Sequence, residues 1–248
     1  MQFYKSDLLK YISGSISDTD LIEKLTELGL EVDQSKKEKN DLLIKLDLTP
    51  NRGDCFSLIG IARDVCAMNN SKLKLPKFKK QQQNLDSKKT VAIDKRACSS
   101  YQGQIIKLKS KGKIPTYIKK TLKAADIGQV NPIVDITNYI MLHTGQPLHA
   151  FDNEKIGKKI YVKFPSKKTK LKLLDGVSHE ISKDYLTISD EKKVIALAGI
   201  MGCANSEVDE TTQEIFLESA CFEPASIRGS ARKLGFQSEA SLRFERGV

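Results

Sequence analysis

Asn138-Tyr-Ile-Met-Leu-His-Thr-Gly-Gln-Pro-Leu-His-Ala-Phe-Asp152 is the stretch around which the rest of the chain is organised. Its first half continues a segment with helical spacing of apolar residues, and Gly145 is the residue type that ends a helix in the left-handed conformation. Gln146-Pro147 then turns the chain, and His149 follows. This order places a single imidazole at the edge of a cleft. Taken alone, a half-buried loop histidine is the more common outcome.

Length and composition limit the classes of protein that fit. The chain has 248 residues, enough for one large domain or two modest ones. Its five cysteines are widely spaced and form no CxxC pair, which argues against a disulfide framework or a zinc site and fits a reducing cytosol. No apolar run approaches membrane-spanning length. We therefore predict a cytoplasmic protein without a metal site or a membrane contact.

Positive charge is concentrated in one part of the chain. The net charge is +10, and residues 71–120 contain fifteen Lys and Arg residues against two Asp. Such a block is a candidate surface for phosphate groups, and solvated edge strands are the equally simple alternative. Lys77, Lys79 and Lys80 are the candidate nucleic-acid-binding residues, and affinity through them should weaken steeply with salt.

The first 73 residues predict a small α+β module. Ser17 opens a short amphipathic helix, and the polar segment 31–40 is expected to be a surface link. Alternating apolar residues predict a strand over 42–48. After a turn, Asp54 is expected to cap the next helix.

Residues 74–87 are interpreted as a connector and residues 88–248 as a larger unit. Asp175-Gly176 between two alternating runs predicts a hairpin. Strands are predicted near 102–108, 159–164, 169–174, 185–189, 194–198 and 214–218, and helices near 115–126, 132–144 and 224–234. Sequential runs of strands favour an α+β fold with a mostly antiparallel sheet.

Single motifs for chemistry are weak in this sequence. It contains no P-loop, GxGxxG, HExxH or nucleophile elbow. Gly199-Ile-Met-Gly202 either lets backbone amides approach a ligand or makes a bulge at a strand end. Glu218 is expected to end an apolar strand, as a rim residue or as a buried acceptor. The polar run 238–247 is interpreted as a capped loop and a solvated charged face.

A set of stretches taken together is far more specific than any one of them. In chain order they are Asp47-Leu-Thr-Pro-Asn-Arg-Gly-Asp54, Ile61-Ala-Arg-Asp64, Val134-Asp-Ile-Thr-Asn-Tyr139, Gly145-Gln-Pro-Leu-His-Ala-Phe-Asp152, Leu174-Asp-Gly176, Ala198-Gly-Ile-Met-Gly202, Leu217-Glu218 and Ser241-Leu-Arg-Phe-Glu-Arg-Gly247. Over nearly its whole length the chain resembles the N-terminal part of the bacterial phenylalanyl-tRNA synthetase beta subunit.

The resemblance implies an editing module, which hydrolyses tyrosine wrongly esterified to tRNA(Phe). By matching motif, His149, Asn138 and Thr137 are the expected catalytic residues. The expected substrate-binding residues are Glu218, Gly199, Gly202, Ser238 and Ala240, with Glu218 contacting the tyrosine hydroxyl. The family usually has Thr where Ser238 stands, so the fit of the pocket differs there by one methyl group.

Two departures from the family qualify this expectation. The family inserts an OB-fold near residues 35–40, where this sequence has only a short link. The chain also ends at Val248, before the later domains, so we expect either a truncated beta subunit or a longer gene that has been cut.

The resemblance also implies partners and cofactors. The partners are tRNA(Phe) and an alpha subunit, in a heterotetramer. The ATP and Mg²⁺ of the full synthetase are expected to bind outside this chain. The alternative function is a non-catalytic fragment that scaffolds the alpha subunit or binds RNA through residues 71–120.

Overall fold

The computed structural model describes residues 1–78, 89–109 and 112–247. The chain forms two compact units, one made of residues 1–81 and 112–146 and the other of residues 82–111 and 147–248. Within the described ranges, no helix is both long and apolar enough to cross a membrane. The fold class is α+β, as predicted.

The described residues of unit 1 form a three-stranded sheet and five α-helices. The sheet has the order β1–β3–β2 and is antiparallel throughout. Its elements are β1 (Gln2–Tyr4), α1 (Lys5–Leu8), α2 (Asp18–Glu27), β2 (Glu31–Glu38), β3 (Asp41–Asp47), α3 (Leu58–Met68), α4 (Thr116–Ala124) and α5 (Pro132–Thr144). Buried apolar residues of α2, β3 and α3 fill the core, among them Leu21, Ile44 and Ile61.

The predicted opening helix and first strand are confirmed, and two local predictions are wrong. The Ser17 side chain caps α2, as expected. Residues 31–40 are not a surface link, because most of them form β2, which pairs with β3. As an edge strand β2 does not need apolar alternation, and its charged residues suit an edge. The cap of α3 is Ser57 and not Asp54, since the Ser57 hydroxyl accepts from the Gly60 amide.

Residues 112–146 join unit 1, whereas the sequence grouped them with the larger C-terminal unit. Polar contacts hold α4 and α5 to the N-terminal segment. Thr121 donates to Asp7 over 2.8 Å, and the Tyr11 hydroxyl lies 2.6 Å from Nδ1 of His143. These four side chains are all buried. Local sequence patterns carry no information about such distant partners, so the division into compact units differs from the predicted one.

Unit 2 is built mainly from strands. Its strands are β4 (Thr90–Ile93), β5 (Cys98–Lys107), β6 (Leu148–Asp152), β7 (Lys159–Lys163), β8 (Thr169–Lys172), β9 (Ser178–Ile181), β10 (Thr187–Ser189), β11 (Val194–Leu197), β12 (Met201–Gly202) and β13 (Glu214–Phe222). Three short helices follow: α6 (Pro224–Ile227), α7 (Ser230–Lys233) and α8 (Glu239–Phe244).

The strands of unit 2 form three sheets. A five-stranded sheet has the order β12–β11–β10–β7–β4, a three-stranded sheet the order β5–β13–β6, and β8 pairs with β9 as the predicted hairpin. The pairs are antiparallel except for β4 with β7, which is parallel. An apolar cluster, which includes Phe151, Ile188 and Phe222, lies in the core. The mostly antiparallel prediction is therefore confirmed.

The C-terminal part of unit 2 departs from the sequence-based expectation. The strand predicted to end at Glu218 continues to Phe222. The helix predicted over 224–234 is two short helices, separated at Gly229 by a left-handed φ of 75°. The run 238–247 contains α8 and is not a solvated face, because Arg243 is 1% exposed and pairs with Glu239 over 2.6 Å.

The close packing of β5 on β13 gives a first testable prediction. Gly103 leaves no room for a side chain, since an added Cβ would lie 2.1 Å from Cζ of Phe216. Phe216 is 2% exposed in the core, so its ring cannot swing away. Gly103→Ala is expected to lower the free energy of unfolding by about 1–3 kcal/mol, measured by urea denaturation.

Gly128→Ala is the control for this substitution, because an added Cβ there meets nothing within 4 Å. It should change the free energy of unfolding by less than about 0.5 kcal/mol. Equal unfolding curves for the two variants would contradict the packing argument.

Candidate functional site

The stretch 138–152 crosses from a helix into a strand. The Asn131 side chain starts α5 by accepting from the amides of Ile133 and Val134, and Gly145 ends it with a φ of 85°. The chain then enters β6, in which His149 is the second residue. His149 is thus held by strand pairing, a firmer support than the loop expected from the sequence.

A cavity of about 70 Å³ lies in unit 2. The predicted residues His149, Gly199, Gly202, Glu218 and Ala240 all line it. An engineered cavity of about 150 Å³ holds a benzene ring, so an aromatic side chain needs the walls to move outwards. Met201, which also lines the cavity, has the unbranched side chain suited to such a movement.

Strand register places the two polar side chains of the cavity opposite each other. Glu218 on β13 pairs with His149 on β6 and with Gly103 on β5. Directly opposed residues of an antiparallel pair have their Cβ atoms about 4.5–5.5 Å apart, on one face of the sheet. Among the described residues no hydrogen bond is recorded between the two side chains. They therefore face a common space as separate groups.

Glu218 is a buried acid and not a rim residue. It is 5% exposed, and its Oε2 accepts a hydrogen bond from the hydroxyl of Tyr101 over 3.0 Å. Burial raises the pKa of Glu218 to about 8, and the Tyr101 hydrogen bond acts in the opposite direction. At neutral pH most of the Glu218 carboxyl is protonated, so it can accept and donate hydrogen bonds.

His149 is neutral at physiological pH. Burial lowers the pKa of its imidazole to about 4. The ring packs edge-to-face against Phe151, with centroids 4.5 Å apart, and lies directly over Gly202. A neutral imidazole offers one donor and one acceptor to a ligand, which suits it to orienting a polar group.

The glycines and Ser238 shape the wall of the cavity. Gly199, with a φ of 66°, forms the tight turn that joins β11 to β12, so the segment 199–202 belongs to a hairpin and the bulge, one of the two alternatives from the sequence, is not formed. The Ser238 hydroxyl caps α8 and donates to the carbonyl of Ile200 over 2.8 Å. It ties α8 to the hairpin and is not among the cavity-lining residues of the described part of the chain. Contact of Ser238 with a substrate stays a prediction.

Other predicted residues are not among those that line this cavity, or they fall outside the residues that the structure describes. Thr137 and Asn138 belong to α5 in unit 1, where the Thr137 hydroxyl donates to the carbonyl of Val134 over 2.9 Å. Lys77 is exposed, whereas Lys79 and Lys80 lie outside the described residues. The predicted roles of these five residues stay predictions.

One cluster in unit 1 has the donor types of a metal site. Asp54, Cys55 and Asp64 could place ligand atoms within 4.8 Å of one another. The guanidinium of Arg52 already bonds to all three side chains, at 3.1 Å to Asp54 and 2.8 Å to Cys55. The positively charged guanidinium of Arg52 therefore already occupies the cluster.

The packing of His149 on Gly202 gives a second prediction. A Cβ at Gly202 would lie 2.6 Å from both Cε1 and Nε2 of the His149 ring. Gly202→Ala is expected to displace the imidazole, shift its NMR resonances and cost about 1–3 kcal/mol of stability. Gly128→Ala should leave these resonances in place. Unshifted His149 resonances in Gly202→Ala would contradict the contact.

Sequence reasoning missed Tyr101 as the partner of Glu218. Tyr101 precedes the predicted strand 102–108, and its partner lies 117 residues further along the chain. It also missed the apolar wall residues Leu148, Ile188 and Phe244. Apolar residues in strands and helices look like ordinary core, so no local signal identifies them.

Comparisons with known proteins confirm the resemblance predicted from the motifs. A family model described as the B3/4 domain matches residues 97–248. The phenylalanine–tRNA ligase beta subunit of Carboxydothermus hydrogenoformans is 44% identical over 213 residues, which are 85% of this chain and 27% of that protein. The beta subunit of Rhodopirellula baltica is 38% identical over 245 residues, 97% of this chain and 36% of that protein. The chain thus spans about a third of their length.

A solved structure is also similar. It is an N-terminal fragment of the phenylalanyl-tRNA synthetase beta subunit from Pyrococcus horikoshii, with 21% identity and a TM-score of 0.46. The match covers 89% of this chain and 67% of that one.

Proposed function

Because the chain belongs to the B3/4 domain family, we propose that it hydrolyses the ester bond of tRNA(Phe) that carries tyrosine in place of phenylalanine. The observation that carries this proposal is the buried carboxyl of Glu218, which lines a cavity opposite His149. Tyr101 already bonds to Oε2 of this carboxyl, so its other oxygen, beside an otherwise largely apolar wall, is the one that needs a polar partner from a ligand. The hydroxyl of a tyrosine side chain is such a partner, and phenylalanine has none.

The balance of the reaction is simple. The oxygen of a water molecule attacks the ester carbonyl carbon, and the bond from that carbon to the ribose oxygen breaks. Free tyrosine and the ribose hydroxyl of the tRNA are the products. One proton of the water goes to the ribose oxygen, and the other stays with the new carboxyl group until it ionises to solvent. Since an ester is already activated, a positioned water and donors for the developing oxyanion are sufficient.

His149 is proposed to orient the ester or the attacking water. With a pKa of about 4 its imidazole is neutral, which makes it a weak base at neutral pH but leaves both nitrogens able to form hydrogen bonds. Thr137 and Asn138 are further proposed contributors, on the resemblance alone. The hydrolysis needs no cofactor in this chain, and ATP and Mg²⁺ are proposed to serve aminoacylation elsewhere in the synthetase.

The proposed partners follow from the relatives, which are beta subunits. We propose that this chain acts beside an alpha subunit in the cytoplasm, and that its tRNA is tRNA(Phe).

The test is deacylation by the purified chain. Tyr-tRNA(Phe) and Phe-tRNA(Phe) are prepared with radiolabelled amino acid, and release of the label is followed with and without protein. We expect faster release of tyrosine than of phenylalanine. Release of both at the rate of the protein-free sample would overturn the proposal and leave the non-catalytic alternative.

A further inference from the structure

We propose that Tyr101 is a specificity-determining positioning residue, which holds one carboxyl oxygen of Glu218 so that the other faces the amino-acid side chain in the cavity. This inference rests on the proposed function of the same site. It extends the recognition of tyrosine from one residue to a pair.

Register brings the two side chains together. Tyr101 on β5 is opposite Ala220 on β13, and Glu218 is opposite Gly103. Tyr101 and Glu218 are therefore diagonal neighbours, a separation that aromatic side chains can span. Gly103 has no side chain and Ala220 has a small one, so nothing at these two positions blocks the Tyr101 ring from reaching the carboxyl.

The hydrogen bond has a defined direction. The Tyr101 hydroxyl lies 3.0 Å from Oε2 of Glu218. Burial raises the pKa of Tyr101, so its hydroxyl keeps the proton that it donates to Oε2. In the described part of the chain, Tyr101 is the hydrogen-bonding partner recorded for Glu218, which leaves Oε1 for a ligand.

A hydrogen bond to one oxygen restricts the rotation of a carboxyl group. The terminal torsion of a glutamate is broad, so without Tyr101 the group would rotate among several orientations. Rotation would weaken the hydrogen bond to the hydroxyl of a bound tyrosine, and it would not affect a phenylalanine ring. Tyr101 should therefore affect the ratio of the two substrates more than the rate of hydrolysis itself.

Tyr101→Phe tests this because it removes one oxygen and keeps the ring. We expect the ratio of kcat/KM for Tyr-tRNA(Phe) to that for Phe-tRNA(Phe) to fall about 5-fold, the effect of one hydrogen bond of ordinary strength. The matched control is Tyr161→Phe, the same change on β7 in the five-stranded sheet. It should leave the ratio of the two kcat/KM values unchanged. In a Glu218→Ala background, Tyr101→Phe should change the ratio no further.

Two outcomes would overturn the inference. One is an unchanged ratio in Tyr101→Phe, and the other is an equal fall for both esters, which a purely structural tyrosine would give. If the parent protein hydrolyses neither ester, the proposed hydrolysis fails, and the binding of amino-acid amides then tests the role of Tyr101. Tighter binding of tyrosinamide than of phenylalaninamide, lost in Tyr101→Phe, would still support the inference. Equal binding of the two amides, or no binding of either, would overturn the inference.

Discussion

Replacing Glu218 with Ala is expected to remove the preference of the protein for a tyrosine ester over a phenylalanine ester. Since Tyr101 bonds to Oε2 of the carboxyl, Oε1 is the atom that a tyrosine hydroxyl satisfies and a phenylalanine ring leaves unpaired. Deacylation of Tyr-tRNA(Phe) should fall towards the rate for Phe-tRNA(Phe), measured as kcat/KM with both substrates.

The size of the effect depends on the charge of Glu218. A site built to bond a hydroxyl rejects the analogue without it by about 10⁴- to 10⁵-fold at most. Since burial raises the pKa of Glu218 to about 8, the unpaired group at neutral pH is mainly a neutral carboxyl. An unpaired buried polar group costs about 1–3 kcal/mol, which corresponds to roughly 5- to 150-fold in discrimination. We therefore expect the loss of discrimination in Glu218→Ala to lie in this lower range, roughly 5- to 150-fold.

His149→Ala is the matched control in the same cavity. It should slow hydrolysis of both esters by about 100-fold, the usual cost of losing correct positioning, without changing which ester is preferred. Because Glu218 is buried, Glu218→Ala also leaves the Tyr101 hydroxyl without its partner. The fold of each variant must therefore be checked by circular dichroism. A folded Glu218→Ala protein with the parent's preference would show that Glu218 does not read the amino acid.

Some parts of this molecule follow directly from local sequence. Gly145 ends α5 as expected, because a left-handed residue there costs glycine least. The Asp175-Gly176 turn joins β8 and β9, and Gly176 has the required positive φ of 80°. In both cases the sequence signal and the structural feature lie within a few residues of each other.

Other parts depend on partners that are distant in sequence. The charged segment of β2 gives no strand pattern, and only pairing with β3 makes it a strand. The sequence alone leaves the burial of Glu218 open, because an acid after three apolar residues suits a rim as well as a wall. Its buried state comes from β5 and β6 on either side of β13. Motif resemblance pointed to five of the residues that line the cavity, whereas their protonation states required the fold.

The stability of the protein is expected to fall as the pH rises from about 4.5 to 8, to the extent that Glu218 controls it. Burial raises the pKa of Glu218 from the ordinary value of 4.5 to about 8. Between these values the folded chain binds more protons at Glu218 than the unfolded chain, so the free energy of unfolding decreases with pH. The slope is at most about 1.4 kcal/mol per pH unit, and the full loss is on the order of 3–5 kcal/mol.

Glu218→Gln isolates this contribution because an amide stays neutral and can still accept from Tyr101. Burial also lowers the pKa values of His143 and His149 to about 4, which destabilises the folded chain as the pH falls, so the profile of the parent alone is a sum of opposite effects. The difference between parent and variant, measured by urea denaturation from pH 5 to pH 9, cancels the histidine contributions.

The free energy of unfolding of Glu218→Gln should increase relative to that of the parent as the pH rises, and the difference should become constant above pH 8. Exposed Glu210→Gln should give a flat difference. A flat difference for Glu218→Gln as well would mean that the carboxyl ionises in water-like surroundings, which would remove the basis for its reading of tyrosine.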